Sequence, residues 1–270
     1  MYNLKDKVVV ITGASSGIGR AMALEFAAQG SQVLLASRNL ERLEDVKKEC
    51  QKFNVKAELV QCDVSIKEDC QKLALKSEEI FGRTDVLINN AGISMRSLFS
   101  EMDPDVFKQV MDINFMGTVY CTRFLIPEII KRKGWVLGVS SIAGYRGLPG
   151  RTAYSASKFA MNGFLESLRT ENLKTGLNVL TVCPGFTASE IRKRALTGDG
   201  STQAESPREE QKMMQPEEVA QFTIKAMKQG KKQLILTRQG KLTVLMNRFF
   251  NSMMDKIVFN HMSKEPGSPF

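Results

Sequence analysis

The chain has one histidine, His261, and it falls near the C-terminal end of the 270 residues. A Ser-His-Asp relay or a multi-histidine metal site in the body of the fold is thereby excluded, and no metal site is expected. Cysteine is sparse as well. Cys50, Cys62, Cys70, Cys121 and Cys183 are odd in number, widely spaced and without a CxxC pair, which argues against both a disulfide framework and a zinc knuckle. They read as reduced, buried small apolar residues. No apolar run approaches the ~20 residues of a membrane-spanning helix. Lys5-Asp6-Lys7 leads straight into Val8-Val9-Val10-Ile11 with no cleavable leader pattern ahead of it, so the expected location is cytoplasmic.

The net charge is +9, from 38 basic and 29 acidic residues. The basic residues are scattered, with short clusters at Lys131-Arg132-Lys133, Arg192-Lys193-Arg194 and Lys231-Lys232. No aromatic interleaving accompanies them. This pattern reads as a solvated surface, and no nucleic-acid partner is expected.

Apolar runs of four to six residues alternate with longer stretches of helical period, the βαβ signature of a parallel sheet covered on both faces. Strands are expected at Lys7 to Ile11, Gln32 to Ala36, Ala57 to Gln61, Val86 to Asn89, Val136 to Ser140, Val179 to Cys183 and Gln233 to Leu236. Helices fill the gaps, among them Gly17 to Gln29, which Gly30 ends, and Leu40 to Phe53. Asp103-Pro104 opens a long helix that Pro127 is expected to bend or shorten. There is no internal repeat. The segment 186–214 is polar and turn-rich and is expected to be a mobile lid over a substrate.

Two segments carry the chemistry. Gly13, Gly17 and Gly19 lie between the first strand and an amphipathic helix. Such spacing turns the backbone sharply and aims a helix N-terminus at a pyrophosphate. Tyr154 and Lys158 stand four residues apart, on one helix face. A phenol of ordinary pKa about 10 needs a nearby positive charge to act as a proton carrier at neutral pH, and Lys158 is the expected source.

From these residues the chain resembles the short-chain dehydrogenase/reductase family, whose nucleotide loop reads T-G-x-x-x-G-x-G, here Thr12 to Gly19. The resemblance continues in order through Asn89-Asn90-Ala91-Gly92, Asn114, Ser141, Tyr154-x-x-x-Lys158 and Pro184-Gly185, covering about residues 5 to 240. It implies a doubly wound (Rossmann) seven-stranded parallel sheet in one domain, residues 1–240, followed by a helix and tail over 241–270. It also implies a homodimer or homotetramer that interconverts a carbonyl compound and a secondary alcohol.

In that reading Tyr154 transfers a proton and Ser141 holds the reacting oxygen, while Asn114 anchors a water that connects Lys158 to solvent. Ser140 is the competing serine, expected as the last residue of its strand. The cofactor residues are Gly13, Ser15, Ser16, Gly17, Ile18 and Gly19 in the first turn, then Ser37 and Arg38, Asp63 and Val64, Asn90, Ala91 and Gly92, Tyr154 and Lys158, and Pro184, Gly185, Thr187 and Ser189. Asp63 contacts adenine or only caps the next helix. Ser189 stands where the family has threonine, keeping a hydroxyl for the nicotinamide amide.

The second strand ends in Ser37-Arg38 rather than a carboxylate, which suits a 2′-phosphate and favours NADP(H). The rival class is a dinucleotide-binding sensor or scaffold without turnover. Leu242, Leu245, Met246, Phe249, Phe250, Met253, Met254, Ile257 and Val258 recur at steps of three and one. They are expected on one stripe of a single helix starting just after Gly240. That helix would border the substrate cleft and touch a membrane, pointing to a lipophilic ketone, or else pack within an assembly.

Overall fold

The computed structural model describes residues 2–204 and 213–270. Residues 205–212 of the expected lid lie outside the described residues. Seven parallel strands form one sheet in the order β3-β2-β1-β4-β5-β6-β7: β1 Val8–Thr12, β2 Gln32–Ser37, β3 Ala57–Gln61, β4 Val86–Asn89, β5 Trp135–Val139, β6 Asn178–Cys183 and β7 Gln233–Ile235. β1 is flanked by β2 and β4. The chain therefore reverses its winding direction there and opens a crevice at the carboxyl ends of the two strands.

The strands between the two edges, β2, β1, β4, β5 and β6, bury both faces, which is why their apolar runs show no alternation. Val9 and Ile11 of β1 belong to a core with Phe26 of α1 (Gly17–Ala28), Leu43 of α2 (Leu40–Gln51) and Ile224 of α7 (Pro216–Lys228). Val10, between them, points to the other face. It joins Leu73 of α3 (Lys67–Phe81), Leu125 of α5 (Gly117–Lys131) and Leu165 of α6 (Thr152–Glu171). All five cysteines are buried and free.

Gly30, with φ 82°, follows α1 as expected. The long helix opened by Asp103, whose side chain caps Asp105 N, begins as α4 (Pro104–Met111). Its irregularity is not at Pro127, which sits inside α5. It is a π turn over Asp112–Met116, between α4 and α5. The one extra residue per turn carries Asn114, and π turns of this kind gather at functional sites. β5 stops at Val139, so Ser140 is just past the strand rather than its last residue.

The tail departs further from expectation. α8 (Arg238–Phe249) starts before Gly240, and the backbone breaks at Phe250 (φ −133°, ψ 54°) before α9 (Asn251–Met262). The cause is a polar tether. Arg146 donates to the side chains of Asn247 at 3.0 Å and Asn251 at 3.1 Å, drawing both helices onto the domain. The break resets the helical phase, so the nine apolar positions do not share one stripe. Met254 and Val258 are buried, while Leu242, Leu245, Phe249, Phe250, Met253 and Ile257 are 43–65% exposed.

At the amino edge of the sheet, Asp85 is fully buried. It accepts from Val8 N at 3.0 Å and Arg83 Nε at 2.8 Å, with Lys7 Nζ 3.5 Å away. Replacing it by alanine strands both donors, so Asp85→Ala is expected to cost about 3 kcal/mol in chemical denaturation. Ligand binding at the opposite edge of the sheet should be unchanged.

Candidate active site

A cleft of about 1060 Å³ opens at the carboxyl ends of the strands, at the upper limit of small-molecule sites and large enough for two ligands side by side. In the first turn Gly13, Ser15, Ser16, Gly17 and Ile18 line it, followed around the rim by Ser37, Arg38, Asp63 and Val64. Asn90, Ala91 and Gly92 come next, then Ser141, Tyr154 and Lys158 on the floor, with Pro184, Gly185, Thr187 and Ser189 above. Gly19 and Asn114 lie behind the wall. Residues expected from distant parts of the sequence thus meet in one place.

The phosphate end is built by backbone approach. Gly13 is left-handed (φ 65°), and a Cβ there would stand 2.9 Å from Ala91 Cα. A Cβ on Gly19 would run into the Gly13 carbonyl and the Asn90 amide. Asn90 Nδ2 donates to the carbonyls of Thr12 at 2.9 Å and Gly13 at 3.2 Å, which welds the two strand ends at the crevice. Thr12, absent from the expected site residues, completes the weld: its hydroxyl accepts from Asn90 N at 3.0 Å and Ala91 N at 3.1 Å. Its place as first residue of the T-G-x-x-x-G-x-G run was the available signal. The N-terminus of α1 then faces the cleft with its first amides unpaired within the helix, a fit for a pyrophosphate.

At the rim, Arg38 is mostly exposed and lies 3.8 Å from Asp63. So loose and solvated a pair is worth at most about 1 kcal/mol, weak enough to be exchanged for a phosphate. Asp63 Oδ1 accepts from Ser65 N at 3.0 Å and Ser65 Oγ at 2.7 Å, so it does shape the turn ahead of α3. It lines the cleft all the same. Ser37 Oγ accepts from Asn39 N at 3.2 Å. Across the mouth, Arg42 Nη1 meets Glu190 at 2.8 Å.

On the floor, Ser141 caps a short 3₁₀ turn over Ile142–Gly144, its hydroxyl accepting from Ala143 N at 3.1 Å. Tyr154, half-buried on the first turn of α6, shares a hydrogen bond with Ser141. Burial pushes the Tyr154 phenol above its ordinary pKa, opposed by that hydrogen bond and by the positive charges of Arg151 and Arg192. The net direction is upward, against the lowered value expected from sequence. Lys158 is buried beside the tyrosine ring, its ammonium 5.7 Å from the ring centroid and donating to Val139 O at 2.8 Å. Burial drops its pKa to about 8.

Asn114, fully buried, serves as a brace. Its side chain donates to Ile93 O and to Ser157 Oγ, both at 2.9 Å, and accepts from Ile93 N at 2.8 Å. It thereby ties the segment after β4 to the α6 residue next to Lys158. Beyond the floor the wall is largely apolar, with Leu148, Met254, Val258 and Met262, and the one histidine, His261 of α9, lines the cleft beside them. Of the apolar residues the sequence pattern marked only Met254 and Val258.

A phosphate-cradling turn and a Ser-Tyr-Lys set at one edge of a doubly wound sheet define an oxidoreductase of the dinucleotide-fold class. The family model of short chain dehydrogenases matches residues 7–199, and the chain belongs to that family. Dehydrogenase/reductase SDR family member 7B of Xenopus tropicalis is 38% identical over 240 residues, covering 86% of this chain and 78% of that protein. The protein of the same name in Danio rerio is 32% identical over 273 residues, covering 98% and 88%. Among solved structures, a short chain dehydrogenase/reductase from Burkholderia phymatum in complex with NAD superposes with a TM-score of 0.84 at 25% identity, over 94% of this chain and 96% of that one. An alcohol dehydrogenase from Thermococcus sibiricus complexed with 5-hydroxy-NADP gives 0.76 at 25% identity, over 86% and 96%.

The depressed pKa of Lys158 has a consequence for stability. From its ordinary 10.5 down to about 8, the unfolded chain binds the proton that the folded one has released, so stability rises with pH across that window. Below pH 8 both states are protonated and the full penalty stands, roughly 3 kcal/mol. In Lys158→Met that dependence is expected to vanish. Wild-type stability should therefore gain on the variant as pH is raised from 7 to 10 in parallel denaturation curves.

Proposed function

We propose that the protein is an NADPH-dependent carbonyl reductase, equally a secondary alcohol dehydrogenase in reverse, acting on lipophilic ketones. The observation that carries this reading is the Ser141, Tyr154 and Lys158 set on the floor of the cleft that also holds the glycine turn. The α1 N-terminus would hold the pyrophosphate of NADPH, and Ser37 and Arg38 its 2′-phosphate; the bound cofactor would supply a hydride. The solved relatives, one with NAD and one with an NADP derivative, support a nicotinamide dinucleotide. Ser37 and Arg38 at the end of β2, where an acidic residue would bind the ribose hydroxyls, support the phosphorylated form.

A carbonyl oxygen seated between Ser141 Oγ and the Tyr154 hydroxyl accepts a hydrogen bond from each, and Tyr154 donates its proton as the alkoxide forms. The raised pKa of Tyr154 suits this direction, because the phenol starts protonated. Lys158, braced through Asn114 and Ser157, stabilises the phenolate, and a water relay past Asn114 returns the proton. Thr187 and Ser189 offer hydroxyls to the nicotinamide amide. The apolar wall of Leu148, Met254, Val258 and Met262 supports a lipophilic substrate. The exposed apolar residues of α8 and α9, with Lys241, Arg248 and Lys256 among them, support either packing in a homo-oligomer or contact with an anionic membrane.

Tyr154→Phe is expected to lower kcat by about 100-fold or more while the dinucleotide Kd stays within about twofold, because a general acid is lost and no binding group is. Retention of a tenth of the wild-type rate would remove Tyr154 from that role. Wild-type kcat/KM should favour NADPH over NADH, and Ser37→Asp combined with Arg38→Leu should reverse the order, since a carboxylate repels the 2′-phosphate and binds the ribose hydroxyls instead. Equal kcat/KM for the two cofactors in the wild type would contradict the assignment.

A further inference from the structure

The far wall of the cleft belongs to a segment that the proton-transfer groups do not explain. Met254, Val258 and Met262 lie at i, i+4 and i+8 on one face of α9, packed against Leu148, Met246 and Phe270. Three side chains on a twelve-residue helix with an exposed opposite face are a weak attachment. Arg146 fixes the first half of the helix through Asn251 and Asp255, and His261 meets Phe186, while its C-terminal end is held by the stretch that follows it. The Glu265 side chain is only 4% exposed, and its carboxylate accepts from Arg151 Nη2 at 2.9 Å, with Arg96 Nη2 3.8 Å away. Arg96 Nη2 also donates to the Pro266 carbonyl at 2.7 Å. Phe270 stacks on Phe259 of α9, ring centroids 5.3 Å apart.

Arg151 is the residue immediately before α6, three positions ahead of Tyr154, and it lines the cleft itself. Arg96 lies in the segment after β4. One buried carboxylate thus joins the stretch after α9 to the start of α6, which carries Tyr154, and to the segment after β4. The hydrogen bond from Arg151 fixes the carboxylate, and the Arg96 charge, which is anchored to Pro266 O, adds an ion pair.

We propose that Glu265 is a positioning residue for substrate discrimination: by clamping residues 263–270 onto Arg151 and Arg96, it holds the Met254, Val258 and Met262 face of α9 as the apolar wall of the cleft, so that bulky apolar carbonyl compounds are favoured over small ones. The proposal rests on the carbonyl-reductase reading. With the clamp in place the wall is rigid, and a bulky substrate buries its surface against it. With the clamp released, α9 rocks away and that burial is lost, whereas a small ketone on Ser141 and Tyr154 never reached the wall.

The test uses full-length wild type, Glu265→Gln, Glu265→Asp and Phe270→Ala, each with NADPH bound. Amide hydrogen exchange is read over residues 251–262, and steady-state kinetics are read with cyclohexanone and with the bicyclic 2-decalone. Glu265→Gln is expected to speed exchange over 251–262 and to raise KM for 2-decalone about tenfold, with KM for cyclohexanone changed less than about twofold. Glu265→Asp should recover most of the difference. Phe270→Ala should move both readouts the same way without disturbing the ion pairs, and it carries the test should Glu265→Gln fail to fold. Unchanged exchange over 251–262, or an equal rise in KM for both ketones, overturns the proposal. If wild type reduces neither ketone, the carbonyl-reductase reading fails. The clamp is then decided by exchange alone, faster in the variants if it exists and unchanged if it does not.

Discussion

A charged ammonium is buried beside the carboxyl end of the sheet, and much of the site follows from keeping it there. Lys158 is 3% exposed, and its hydrogen bond to Val139 O ties the middle of α6 to the end of β5. A second bond runs the other way, from Ser140 Oγ to Lys158 O at 3.3 Å. Neither offsets the loss of water around the charge, which is why the pKa falls to about 8. The helix that carries Lys158 must therefore be held by other contacts. Asn114 supplies them from a π turn in the neighbouring helix, and Met161 and Leu165 supply apolar contact one and two turns along α6. The fold carries a destabilising group at the place where chemistry needs one.

The two halves of the cleft are made differently. The cofactor half is formed by strand ends and the turns that leave them, so its parts are fixed by the sheet, whose register is set by apolar residues on both faces. The weld of Thr12, Gly13 and Asn90 across β1 and β4 belongs to this half. The substrate half joins residues between β5 and α6, Ser141, Leu148 and Tyr154 among them, to segments added after β6, with α9 resting on a small cluster of its own. Rigid cofactor geometry and an adjustable substrate wall suit a fold that serves many substrates with one reaction.

Electrostatics divide the work among cations in a way that spacing alone does not show. Arg151 and Arg192 add positive charge near Tyr154, beside the Lys158 ammonium, which faces the ring and the Val139 carbonyl. Arg151 is itself partnered by Glu265. The charge environment of the proton donor is thus linked to the chain beyond α9, more than 100 residues away in sequence.

The seven strands, their parallel arrangement and the residues of the glycine turn were legible in the sequence because they rest on local rules. Runs such as Val8 to Ile11 and Val86 to Asn89 declare strands buried on both faces, and the spacing of Gly13, Gly17 and Gly19 follows from backbone sterics within one turn. The meeting of Ser141, Tyr154 and Lys158 was legible through ordered motifs. The π turn at Asn114, the break at Phe250, the burial of Glu265 and the approach of Arg151 and Arg192 to Tyr154 were decided only in three dimensions. Each depends on which distant groups become neighbours once the sheet is assembled, and on how much water they lose there, and no local pattern of residues encodes either quantity.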